Sequence, residues 1–228
     1  MISLYNFLCI LGVQKPERFS NKDAVYVAIF CEKLGYSLIP DFRHYIIHYY
    51  YCYYKQNSNI NQSIVLFQGG HGPDFEPTEL FRQTGVFIRL GSILSQSEGV
   101  ILRQKEAFLE KFIDNNCDLT ETQKISLQAF LHWSLHCPQT LVGLKLYLRK
   151  LTETKRQALG QFLLEVAQAD GKIAPQEIKK LEQLYAAIGL DKNQVFGGLY
   201  ALASGVDQVK VAPREFVPTL SLASSKSE

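Results

Sequence analysis

Asp170-Gly171-Lys172-Ile173, with Glu177 seven residues after the aspartate, is the part of the chain whose residue types and spacing best suit chemistry. Two carboxylates flank a glycine turn, and carboxylate oxygens are ligands for hard cations. An oxygen-only set favours Ca²⁺, Mg²⁺ or Mn²⁺ over zinc. If Gly171 is set at the glycine of an EF-hand loop, Asp170 takes ligand position five and Glu177 the bidentate position twelve. Positions one and three then fall on Val166 and Gln168. Val166 offers no side-chain oxygen, so the loop is not an EF-hand. The candidate metal ligands are Asp170 and Glu177, with Glu165 or a backbone carbonyl as further donors.

The same two residues have a metal-free reading. Pro175 suits the first position of a helix, which makes Ala174 the cap and places Glu177 at the third helical position. A glutamate there can reach back to the cap N–H and complement the helix dipole, worth about 0.3–1 kcal/mol. Asp170 can bond backbone N–H groups within its own turn.

Other constellations are weaker. His132 and His136 lie one helical turn apart, a chelating spacing, but lack the glutamate of H-E-x-x-H and an evident third ligand. His44 and His48 repeat that spacing among tyrosines, with Asp41 nearby. Gly69-Gly70-His71-Gly72 has no Lys-Ser/Thr to hold phosphate. There is no nucleophile-elbow, Walker or dinucleotide glycine pattern. Five widely spaced cysteines without C-x-x-C give neither a disulfide framework nor a thiolate zinc site, and reduced thiols in a cytoplasmic protein are expected.

The elements around the acidic turn can be read from periodicity. Leu159, Phe162, Leu163, Val166 and Ala167 form one stripe of a helix capped by Thr152. Ile178, Leu181, Leu184, Tyr185 and Ile188 form the face of the next helix, which Gly189 ends. Helices are also expected from Thr78 onward and around Phe108–Ile113. Two more follow, from the capping box Thr120–Gln123 to Cys137 and near Val142–Lys150, and a short one covers Lys192–Ala203. Residues 1–76 are different. Seven of the twelve tyrosines fall in 36–54, and Ser63–Phe67 reads as a strand stopped by Gly69-Gly70. The breaker-rich loop GGHGPDFEP marks a boundary there, so the division is 1–76, 77–205 and a linker or tail at 206–228. A formal charge of +2 over 228 residues, with no basic stripe, gives no reason to expect nucleic acid. No apolar run is long enough to span a membrane.

The helical part carries an internal repeat. Ser95–Ile113 aligns without gaps on Ala167–Tyr185, so that Gln96 meets Gln168, Glu98 meets Asp170, Gly99 meets Gly171 and Leu109 meets Leu181. The position matching Glu177 is Lys105, which would repel a cation, although the neighbouring Glu106 offers a carboxylate. Any metal is therefore expected at the second copy.

The phrase LLEVAQADGKIAPQEIKKLEQLYAAIGLD, and the repeat around it, resemble the TerB family of bacterial tellurite-resistance and stress proteins over about residues 81–202. IPDFRHY and IVLFQGG are loosely similar to what precedes this module in larger proteins. The resemblance implies a mainly α fold: a pseudo-symmetric helical bundle of two helix–turn–helix units behind a small aromatic-rich region with some β structure. It implies divalent metal at the acidic positions, and action in protein complexes rather than as an enzyme, including a membrane-associated stress complex. Two alternatives stay open. One is a metal-free protein–protein interaction domain. The other is a metal-dependent hydrolase built on His132, His136 and the acidic turns.

Overall fold

Thr78, Thr120 and Thr152 each adopt extended backbone and accept a hydrogen bond from the N–H three residues on, opening helices α3 (Glu79–Ser95), α5 (Glu121–His136) and α7 (Glu153–Gln168). At Thr120 the box is reciprocal, because Gln123 Oε1 accepts from the Thr120 N–H at 3.0 Å. The computed structural model describes residues 1–13, 21–40, 63–70, 75–99 and 103–204. The tyrosine-rich stretch from Asp41, with His44 and His48, lies outside them, as does the tail from 205.

Between these helices run α4 (Arg103–Asp114), α6 (Lys145–Arg149), α8 (Pro175–Ile188) and α9 (Gln194–Ala203). Pro175 stands at the start of α8, and Gly189 ends it in the left-handed conformation (φ 84°). The expected helix near 142–150 shrinks to Lys145–Arg149, because Thr140–Gly143 instead form a turn. Arg89, buried on α3, holds that turn by donating to the Thr140 and Val142 carbonyls at 2.8 and 3.0 Å. Arg89 thereby satisfies acceptors that a longer helix would have used itself.

The N-terminal part is a three-stranded antiparallel sheet, β1 (Ile2–Ser3), β2 (Tyr36–Ile39) and β3 (Ser63–Gln68), in the order β1-β3-β2. Two helices precede β2: α1 (Leu4–Ile10) and α2 (Asn21–Lys33). Helix α2 has no single apolar stripe: among its described side chains Val27, Ala28 and Cys31 are buried, while Val25, Tyr26, Ile29 and Phe30 are exposed. The sheet packs on α5, and Trp133 Nε1 donates to the Ser63 carbonyl at 2.9 Å.

The buried apolar residues form one continuous core running from Leu4 and Ile64 through Ile88, Leu109 and Leu131 to Leu163, Leu181 and Val195. At its centre Phe162 meets Phe87 and Phe112, with ring centroids at 5.0 and 4.6 Å. Burial on this scale, at about 25 cal/mol per Å² of apolar surface, is the main force holding α3, α4, α7 and α8 together. It fixes the frame in which the few buried polar groups must find partners.

Candidate functional site: the acidic turn between α7 and α8

Helix α7 ends at Gln168, and the chain reverses through Ala169–Ala174 before α8 begins. The reversal needs Gly171, whose φ of 73° lies in the left-handed region. Asp170 Oδ1 accepts from the Lys172 N–H at 3.0 Å, closing the turn from within. The metal-free role expected of Asp170 is therefore present. Two ties hold the turn against the core. Gln168 Nε2 donates to the Leu199 carbonyl on α9 at 2.9 Å, and Tyr185 OH donates to the Gly160 carbonyl of α7 at 3.0 Å. Gly160 leaves room for that second approach, since a Cβ there would lie 3.3 Å from the Tyr185 hydroxyl and 2.6 Å from Leu190 Cδ1. Burial also pushes the Tyr185 phenol well above its usual range.

Glu177 lies in the first turn of α8 and faces inward. The start of α8 carries no side-chain cap hydrogen bond, and Glu177 is fully buried. Its Oε1 accepts from Lys105 Nζ at 2.7 Å, and Asp170 Oδ2 lies 3.4 Å from the same nitrogen. Lys105 is itself 1% exposed, and the Asp170 side chain only 7%. Asp170 thus uses one oxygen for its turn and turns the other to Lys105. Lys105 and Glu177 both occupy the third position of their helices, α4 and α8. A lysine in a first helical turn opposes the helix dipole, and two nearby carboxylates offset that penalty.

The expected metal ligands are therefore brought together, and an ammonium lies with them. A divalent ion needs several oxygens at about 2.0–2.6 Å. Here Glu177 Oε1 is already bonded to Lys105 Nζ, at a length normal for a charge-assisted hydrogen bond. As arranged, the carboxylates fit an ammonium rather than a divalent ion. Among the described residues no three His, Cys, Asp or Glu side chains gather as a metal site would require. Sequence reasoning missed Lys105 as a partner, although the repeat alignment had already set it opposite Glu177.

The remaining candidates lie elsewhere. Glu165 accepts from Gln161 Nε2 at 3.0 Å on its own helix, and burial raises its carboxyl above the usual range. His132 and His136 are exposed on α5 with ring centroids 4.4 Å apart, and His136 Nδ1 lies 2.7 Å from the His132 carbonyl. Desolvation lowers the His132 pKa, as do the His136 and N-terminal charges, while Glu106 opposes them. Cys9, Cys31, Cys117 and Cys137 are free thiols. None of the helices is long and apolar enough to cross a membrane, among the described residues.

Residues 103–196, from the start of α4 into α9, match the family model described as tellurite resistance protein TerB. No curated protein and no solved structure shows a significant match to the chain. The matched segment contains Lys105, Asp170 and Glu177.

Proposed function

We propose that this chain, in which residues 103–196 are a TerB-type domain, is a non-catalytic interaction module of a bacterial stress or defence system of the tellurite-resistance kind. The family match carries the general stress-related, non-catalytic role. The chemistry of the matched segment supports it, because its buried acids are engaged in closing helices on one another. The module acts in the cytoplasm on protein partners, and a membrane-associated stress complex is the setting in which it would meet them. The division into 1–76, 77–205 and a tail belongs to this reading, with the N-terminal sheet riding on α5.

Within the helical part we read two copies of one unit. Helix α3, a left-handed glycine (Gly99, φ 75°), α4 and α5 are followed in the same order by α7, Gly171 (φ 73°), α8 and α9. Gln96 and Gln168, at matching positions, both donate to backbone carbonyls: Gln96 to the end of α5, Gln168 to α9. These parallels support the pseudo-symmetric bundle.

The test is co-purification of the tagged full chain from stressed and unstressed cells, with reciprocal tagging of whatever co-elutes. A stoichiometric partner recovered in both directions is the expected result. A chain that elutes alone under both conditions, and hydrolyses a panel of model esters and phosphoesters, would instead favour the hydrolase. A second reading keeps the non-catalytic module and has Asp170 and Glu177 hold Ca²⁺, Mg²⁺ or Mn²⁺. The convergence of the two carboxylates favours it.

A further inference from the structure

Lys105 and Glu177 are partners in two senses. The repeat alignment pairs their positions, and the fold puts their side chains 2.7 Å apart across 72 residues of chain. We propose that Lys105 is the resident cation of the acidic turn: its ammonium serves Asp170 and Glu177 where a hard divalent ion otherwise would. Lys105 thereby makes the joint between α4 and the α7–α8 turn independent of metal. The proposal deepens the module reading above, and it concerns which residue sets the cation preference of that turn.

Three observations carry it. The first is geometry, since Nζ lies within 3.4 Å of a carboxylate oxygen from each acid. The second is burial. Lys105 is 1% exposed and Glu177 is 0%, so an entering ion would have to expel an ammonium that has no aqueous refuge beside it. A divalent ion would also shed much of its water, which Mg²⁺ does reluctantly. The third is charge. Without Lys105 two carboxylates would share a covered site, a condition that favours uptake of a proton or a cation.

Lys105 should therefore act as the specificity determinant. Lys105→Met keeps most of the unbranched stem and removes the charge. It should raise Mn²⁺ affinity by on the order of a hundredfold or more, the effect of one unit charge a few ångströms away in a partly screened site. Lys105→Arg keeps the charge and should leave the turn indifferent to ions.

The experiment measures free Mn²⁺ by electron paramagnetic resonance, and melting temperature, for the full chain in chelator and in millimolar Mn²⁺, Mg²⁺ or Ca²⁺. Wild type and Lys105→Arg should neither take up Mn²⁺ at the turn nor shift in melting temperature. Lys105→Met should melt lower in chelator and recover with saturable Mn²⁺, and Lys105→Met/Glu177→Leu should lose that recovery. Wild-type Mn²⁺ uptake that Asp170→Asn abolishes would overturn the proposal without any demand on the Lys105 variants. A folded Lys105→Met that ignores all three ions would overturn it as well. Neither result bears on partner capture, which judges the module reading separately.

Discussion

Trp133 and Ser63 join the two parts of the molecule: the indole N–H of α5 donates to the Ser63 carbonyl at the start of β3, at 2.9 Å. Trp133 is 4% exposed, and Ser63 also pairs with Ser3 of β1. The bond thus ties the central strand of the sheet to a helix of the bundle. Trp133→Phe keeps an aromatic ring but leaves that carbonyl without its donor and a gap beside it. A loss of about 1–3 kcal/mol is expected in urea unfolding. If the N-terminal part folds independently, the variant will show two separated transitions instead of one weakened one.

The buried pair makes a sharper prediction. Lys105→Ala removes the ammonium and leaves the buried Glu177 carboxylate beside Asp170 without that cation, which should cost about 3–5 kcal/mol. Replacing both members, as Lys105→Met/Glu177→Leu, should recover much of that loss, because no charge of the pair then remains to be desolvated. A double-mutant cycle in urea measures the difference. Additive single losses would show that the two side chains do not depend on each other.

Two glycines should fail for different reasons. At Gly171 a Cβ would meet nothing within 4 Å, yet φ is 73°. Gly171→Ala should cost about 1–2 kcal/mol through backbone strain alone, and Gly171→Asn less, since asparagine tolerates that region. Gly160 lies inside α7, where alanine suits the backbone, but its Cβ would stand 2.6 Å from Leu190 Cδ1 and 3.3 Å from the Tyr185 ring. Gly160→Ala should cost about 1–3 kcal/mol by overpacking, and trimming Leu190 to Ala should relieve part of it. Equal rescue of both glycine variants by the Leu190 change would contradict this division.

Glu165 should give stability a pH dependence of defined sign. Burial raises its folded-state pKa above the usual carboxylate value, so between the two values the folded state holds more protons than the unfolded chain. Its contribution is intact below the ordinary pKa and is lost as pH rises through the raised one. Glu165→Gln should therefore be more stable than wild type at neutral pH, with the gap closing as pH falls. Paired unfolding curves across pH 4 to 8 test this. A gap that widens toward acid would show that Gln161 holds the carboxylate in its charged form.

The helix boundaries were largely legible because local chemistry writes them. Thr78, Thr120, Thr152, Pro175 and Gly189 mark ends through groups a few residues away, and the stripes of α7 and α8 follow from period alone. Asp170 was read with Glu177 because only seven residues separate them across the turn and the start of α8. The role of Glu177 was not legible. Its partner sits a whole repeat earlier, and no local rule separates a carboxylate that caps a helix from one that meets a distant ammonium. Alignment of the copies placed Lys105 opposite Glu177, but only as a mismatch. In the fold, opposite charge at matched positions is what lets them touch. Helix α2 was missed for another reason. Its apolar residues are spread around the helix, so periodicity could not distinguish it from its aromatic surroundings.

The span between Lys105 and Glu177 also sets a clock. A ribosome adds roughly 5–20 residues per second, so the 72 residues between the two take about 4–14 s to appear. Through that interval the first half of the bundle exists as a nascent chain whose buried lysine has not yet met its glutamate. Its final closure must wait for α8 to emerge. The half-made domain therefore spends seconds in a form that chaperones and proteases can recognise.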